Sequence, residues 1–263
     1  KTAYEIASCL VGSEMCIRDR AYFEGEPFKE ISKDLMLSMA KNPNIDSIYN
    51  SQIPKGLKLS DMEGYCPGMD GEVQLQYYLK SNPMEIVVSD WVVVDKNKDF
   101  TYQWNLSSLK PGGTYGLKLF SRQKGTRKIQ DSILGSFVLP SEKSSEDTVK
   151  FCVVSCHDFN RRDDIKNGHK IYPSMDKIKP NFYIHTGDIE YMDKPNPYAL
   201  TEELMRFKWN RIFSLPFQRS FYNKYTSYFM KDDHDIGFND SYPGRDYRSV
   251  TFERGLEIFD FEQ

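Results

Sequence analysis

Histidine and cysteine are scarce in this chain, four and five among 263 residues. No apolar run approaches the ~20 residues that cross a bilayer, so no transmembrane segment is expected. Basic charge is not in excess: the net charge is −3, which leaves no electrostatic footprint for nucleic acid. Core material, by contrast, is ample. Hydrophobic residues make up 39% and aromatics 14%, enough for one large domain or two ordinary ones.

The first twenty residues stand apart. "KTAYEI" followed by "LVGSEMCIRDR" (Leu10 to Arg20) resembles an in-frame translation of a sequencing-library adapter, with Ala7 to Cys9 as index sequence. Residues 1–20 are therefore expected not to be native and are set aside from fold reasoning. Two of the five cysteines, Cys9 and Cys16, go with them. Cys66, Cys152 and Cys156 remain, too few and too unevenly spaced for a disulfide framework, and they do not reveal the compartment.

Residues 21–55 read as a helical segment. Phe28, Ile31, Leu35 and Met39 recur near a 3.6-residue period, Asn42-Pro43 stops the pattern, and the helix is expected to pack against the next part of the chain. Residues 56–140 read as β. "GEVQLQYYL", "MEIVVSDWVVV", "DFTYQWNL", "GTYGLKLFS" and "DSILGSFVL" are short aromatic and β-branched runs separated by turn residues, the grammar of a sandwich. "LKPGGTY" (Leu109 to Tyr115) resembles the fibronectin type III corner, where the Tyr115 hydroxyl would tie back to nearby backbone. Trp91 and Trp104 are expected to pack on the core or a strand face. Residues 141–149 are polar and read as a linker. From 150 to 263 the strands "KFCVVS", "NFYIHT" and "SYFM" alternate with helices at "PSMDKIK", with Pro173 at its start, and "TEELMRFKWNRIF", started by Thr201. That alternation indicates an α/β domain.

All four histidines, 157, 169, 185 and 234, come after the linker. Each of the three strands runs into a polar segment: "SCHDFNRRDD", then "GDIEYMD", then "KDDHDIGFND". In α/β sheets ligands bind at the carboxyl ends of strands. One acidic turn is commonplace, because Asp, Asn and Gly are ordinary turn residues. Three in register deliver Cys, Asp, Tyr and His to one edge. Carboxylates brought together repel one another unless cations compensate them. Thiolate, phenolate and carboxylate in one place suggest more than one metal, since soft and hard donors favour different ions. Gly187 would let the backbone approach closely where strand meets site.

"SCHDF", "HTGDIEY" and "KDDHD" resemble the motifs of the alkaline phosphatase D family, a branch of the calcineurin-like metallophosphoesterases. The order of parts fits as well, giving a two-domain α+β expectation: a fibronectin III-like β-sandwich, then an incomplete α/β metallophosphoesterase domain. The resemblance spans roughly Gly56 to Gln263 and implies hydrolysis of phosphate mono- or diesters. It implies iron and calcium as cofactors, with other divalent metals allowed, and Cys156, Asp188, Tyr191, Asp233 and Asn210 as metal ligands. Cys156 would bind iron as a thiolate, Tyr191 as a phenolate, Asp188 would bridge metals and Asn210 would offer its amide oxygen to calcium. His234 would assist catalysis at the phosphoryl oxygens or leaving group, with Asp235 orienting it. It further implies a secreted or periplasmic monomer acting on a small phosphate ester.

Other residues carry plainer expectations. Cys152 reads as a buried small hydrophobe, Tyr183 and Tyr198 as packing residues, Asp232 and Asp240 as turn residues. His157 stands where the family has glutamine; it would add a ligand, alter the iron site or face solvent, and solvent is the expectation. The chain stops at "GLEIFDFEQ" with no helix-stop signal and without the superfamily's later ligand segment. A fragment cut at both ends, inactive by itself, is therefore expected. The alternatives are a non-catalytic binding or adhesion module built on the sandwich, and a phosphodiesterase acting on lipid or cell-wall phosphodiesters.

Overall fold

The computed structural model describes residues 4–6, 23–41, 44–66, 68–246 and 249–262. The adapter-like segment, including Cys9 and Cys16, lies outside the described residues except for Tyr4–Ile6, and the helix stop at Asn42-Pro43 lies outside them too. Tyr4–Ile6 forms strand β1. The first helical segment is α1 (Lys33–Lys41) and α2 (Ile45–Gln52). The β region supplies β2 (Glu72–Leu79), β3 (Ile86–Val88), β4 (Val92–Val93), β5 (Trp104–Leu106), β6 (Thr114–Arg122) and β7 (Ile129–Val138). Then come β8 (Phe151–Val154), α3 (Ile171–Ile178), β9 (Phe182–His185), α4 (Glu202–Ser214), α5 (Pro216–Tyr222), β10 (Thr226–Phe229), α6 (Asp233–Ile236) and α7 (Phe252–Glu262).

The β region folds as an antiparallel sheet in the order β3-β2-β6-β7, with β4 also paired to β2. Alternation along β2 and β6 puts Val73, Leu75, Tyr115, Leu117 and Leu119 on the covered face, where Phe137 of β7 joins them. Each such aliphatic side chain removed from water contributes about 1.5–3 kcal/mol. Tyr115 stacks on its cross-strand partner Phe137 at 5.1 Å, and the Lys110 backbone N–H donates to the Tyr115 hydroxyl at 2.8 Å, the tie expected of that corner. Trp91 lies under the Arg122 guanidinium and Trp104 packs edge-on against Tyr102, so both tryptophans serve strand-face packing. β5 pairs antiparallel with β1. Edge pairing asks only for extended backbone groups, so it does not depend on which side chains the added strand carries.

The helical segment does not settle on the sheet next to it in sequence. Phe28, Met36, Met39 and Ile48 join a core built on α4 and α7, with Trp209, Phe213 and Phe259. Phe28 meets Phe207 edge-to-face at 5.4 Å. Leu35, expected inward, is exposed, and Met36 takes its place. Phe28 and Ile31 precede the helix, which begins at Lys33, so they do not share its phase.

β8, β9 and β10 form a parallel sheet in the order β10-β9-β8. One face carries Cys152, Val154, Tyr183 and Phe229, covered by Tyr172 and Met175 of α3 and Phe221 of α5. Cys152 is half-buried there, and Tyr183 and Tyr198 are buried packing residues, as expected. The opposite face carries Phe151, Val153 and Tyr228, each about half exposed. Thr201 caps α4 by accepting a hydrogen bond from the Leu204 N–H at 3.3 Å. Of the described helices, none is long and apolar enough to cross a membrane.

Candidate metal centre

Because β8, β9 and β10 are parallel, their carboxyl ends reach one edge together. Pairing continues past the strands. The N–H groups of Cys156, His157 and Asp158 donate to the carbonyls of Gly187, Asp188 and Ile189 at 3.2, 2.8 and 3.3 Å. Met230 N–H donates to His185 O at 2.8 Å on the other side. The three segments thus leave the sheet as one layer. Gly187, at φ +104°, is where the second and third come closest: a Cβ there would lie 2.6 Å from Asp232 Cβ and 2.8 Å from Asp232 N. No residue but glycine fits both the conformation and the gap.

Asp188 is the centre of the arrangement. Its Oδ2 accepts from the Tyr191 hydroxyl at 2.8 Å and lies 3.6 Å from the Cys156 thiol. Its Oδ1 is buried without a hydrogen-bond partner. Asp188, Asp233 and His234 each bring one ligand atom within 4.8 Å of the others. Cys156 and Asp188 both hold left-handed backbone, φ +56° and +55°, an unfavourable conformation for side-chain-bearing residues and one that clusters at functional sites. Burial, with the Asp188 and Cys156 contacts behind it, pushes the Tyr191 phenol well above its ordinary pKa. Four of the five expected ligands, Cys156, Asp188, Tyr191 and Asp233, are therefore brought to this edge.

Asn210 is not. It sits on α4, where its Nδ2 donates to Asp99 Oδ2 at 2.6 Å. It lines a cavity of about 670 Å³ together with Asp99, Arg206 and Phe207, and no member of the Asp188 group lines that cavity. The reason is helical phase: Lys208 and Arg211 turn toward the strand ends, and Asn210 turns toward Asp99.

His234 is held, but not by Asp235. The carboxylate on its Nδ1 is Asp193 Oδ1, at 2.7 Å, and the Tyr191 ring lies 4.4 Å away. Burial pulls the imidazole pKa down, but Asp193, with Asp188 and Asp233 farther off, outweighs it and the net direction is up. Asp235 has another task. Fully buried, it accepts the N–H groups of Asp188, Ile189, Glu190 and Asp232 at 2.8, 2.8, 3.1 and 2.9 Å. It therefore ties the second strand end to the third. Burial pushes its carboxyl up to about 7, against the pull of those four donors. Asp232 caps α6 in a reciprocal box with Asp235, and the Asp240 N–H donates to Asp233 Oδ2.

His157 points inward rather than to solvent. Gly187 N–H donates to His185 Nδ1 at 3.3 Å, so His185 Nε2–H donates to His157 Nδ1 at 2.6 Å. Nearby, His169 donates from Nε2 to Asp158 O at 3.0 Å and accepts at Nδ1 from Gln218 at 2.7 Å. These partners fix a neutral tautomer on His185 and on His169. Burial, with the neighbouring imidazoles, pushes His157 down to about 2 and His185 to about 3.

Beneath the edge lies a set of buried charges absent from the sequence expectations. Lys208 and Glu190, both fully buried, lie 3.3 Å apart. Lys208 Nζ donates to the carbonyls of Tyr191 and, at 3.3 Å, Lys194, and Arg211 donates to Asn196 O at 2.5 Å. Asp193 and Glu190 both belong to the strand-end segment "GDIEYMD". A mid-helix lysine such as Lys208, though, carries no signal, since lysine at such positions is usually solvated.

No protein-family model matches the chain, and no curated protein matches it in sequence. A solved structure does match. The structure of PhoD is similar over 74% of this chain and 39% of its own, with a TM-score of 0.57 at 15% identity. By fold, the chain is PhoD-like. A purple acid phosphatase from yellow lupin (Lupinus luteus) seeds matches over 72% of the chain and 34% of its own at 14% identity, with a TM-score of 0.45, too slight to carry weight. The chain spans about two fifths of PhoD's length.

Proposed function

We propose that the whole protein hydrolyses phosphate mono- or diesters at a metal centre to which this chain contributes Cys156, Asp188, Tyr191 and Asp233. The observation that carries the reading is the state of Asp188. One oxygen is shared by a thiol and a phenol, and the other is buried with no partner. A buried acceptor without a donor is costly, and a cation is the partner that thiol, phenol and carboxylate oxygens hold in common. Iron at the Cys156–Tyr191 side and calcium beside it are implied by the motif resemblance. The donor set also suits iron with zinc or manganese.

When bound, the metals supply charge to the phosphate oxygens and acidify a water. The chain's own side chains do the rest. Asp193 occupies His234 Nδ1, which leaves Nε2 for a phosphoryl oxygen or the leaving group. The Asp193 carboxylate on Nδ1 favours the protonated imidazole, as a proton donor needs. Asp235 holds the Asp188–Glu190 backbone that presents the carboxylate. The N-terminal sheet we read as a fibronectin III-like sandwich, supported by the Tyr115 corner. We read the whole protein as a secreted or periplasmic monomer, in line with the motif resemblance.

The test is metal content. Purified chain loaded with iron is expected to retain it stoichiometrically after desalting, and Asp188→Ala to lose it. Equal retention by both, or by neither, would refute the reading.

A further inference from the structure

Lys208 and Glu190 are charged groups buried beneath the strand ends, with Arg211 3.7 Å from the Glu190 carboxylate. Both are fully excluded from water. An ion pair of this kind is replaceable by apolar side chains at little cost in stability, so stability alone does not account for it. What the pair touches is main chain of the metal-site segments. Lys208 Nζ donates to the Tyr191 and Lys194 carbonyls, gripping both ends of one turn. Glu190 accepts from the Tyr191 N–H and from the Phe159 N–H, each at 3.3 Å, which joins that turn to the segment after β8.

The phenol is accordingly clamped on several sides. Its ring lies 4.4 Å from the His234 ring and 3.3 Å from Lys194 Nζ, and Lys194 reaches on to Asp158 Oδ2 at 3.2 Å. Its hydroxyl donates to Asp188 at 2.8 Å, with the Cys156 thiol beside it. Tyr191 and Asp188 are three residues apart on one turn, so a tilt of the 191 peptide moves the hydroxyl directly. Lys208 is anchored in turn by its neighbours on α4, Phe207 and Trp209, which are core residues.

We infer that Lys208, paired with Glu190, is a positioning residue for Tyr191: it fixes where the phenol oxygen meets Asp188. The role of that oxygen as a metal donor rests on the function proposed above; the placement itself does not.

The experiment uses the chain labelled with 3-fluorotyrosine, metal-free, with the Tyr191 ¹⁹F resonance assigned by Tyr191→Phe. The double variant Lys208→Met/Glu190→Gln removes both charges at nearly constant volume, and Lys208→Met alone, which leaves Glu190 facing Arg211 at 3.7 Å, serves as the milder change if the double variant does not fold. In the folded variant the Tyr191 resonance is expected to shift or broaden while those of Tyr115 and Tyr183 stay in place. An unmoved Tyr191 resonance overturns the inference. Iron(III) is then titrated into the same samples. Wild type is expected to develop a phenolate-to-iron absorption band, and the variant to bind about tenfold or more weakly. Absence of iron binding in wild type overturns the metal-centre reading, and the fluorine result still decides the role of Lys208.

Discussion

Asp193 Oδ1 lies 2.7 Å from His234 Nδ1, so the partner of this histidine sits 41 residues upstream rather than beside it in sequence. The pair makes a direct prediction. The folded pKa of His234 is raised, so the pair's stabilisation is full below the unfolded value and is lost as pH climbs through the folded one. Asp193→Asn removes the carboxylate that favours the imidazolium and should lower the His234 pKa, read from imidazole NMR titration. An unchanged titration would mean that Asp193 does not govern it.

Asp235 should behave differently. Asp235→Ala strands four backbone donors in the interior and is expected to cost about 3 kcal/mol in urea denaturation. The His234 pKa should move little. A large drop in that pKa, with little loss of stability, would return Asp235 to the orienting role.

Gly187→Ala sets a methyl group against Asp232 backbone at a left-handed φ. The expected loss is about 2–3 kcal/mol, together with weaker metal retention because the second and third strand ends are pushed apart. Wild-type stability in the variant would show that the two segments are not in contact in solution.

The buried histidines predict a pH dependence. His157, His169 and His185 have folded pKa values below that of an unfolded imidazole. The unfolded chain therefore takes up protons first as pH falls below ~6.5. Stability should drop from there toward the folded values near 2 and 3 for His157 and His185, by up to about 1.4 kcal/mol per pH unit for each histidine. Urea midpoints at pH 7, 6 and 5 measure it, and His185→Gln should flatten the slope. A level wild-type profile over that range would contradict the burial.

Much of this was legible in the sequence where a local rule governs. Period-two alternation located β2 and β6, Thr201 marked the start of α4, and strand ends rich in Cys, Asp and Tyr marked the edge where Cys156, Asp188 and Tyr191 meet. What was not legible depends on three dimensions. Asp235 is adjacent to His234 and reads as its partner, yet the short helix α6 turns it inward to the Asp188 amides while Asp193 arrives from another segment. Asn210 shares a helix with Lys208, and two residues of helical rotation decide which of them reaches the site. His157 was expected in solvent because nothing near it in sequence announces His185, 28 positions away.

The seating of the first helices on α4 has a kinetic consequence. Gln52 exchanges two hydrogen bonds with the Tyr198 backbone, 146 residues later, and Phe28 rests on Phe207. During synthesis, α1 and α2 emerge long before their partner exists, while the sheet from β2 to β7 is complete once residues 72–138 have emerged. The sheet should therefore gain structure first, and the leading helices should wait with their apolar faces uncovered until α4 leaves the ribosome. Chaperone dependence and early aggregation in this protein would then originate in residues 23–66, far along the chain from any residue of the metal centre.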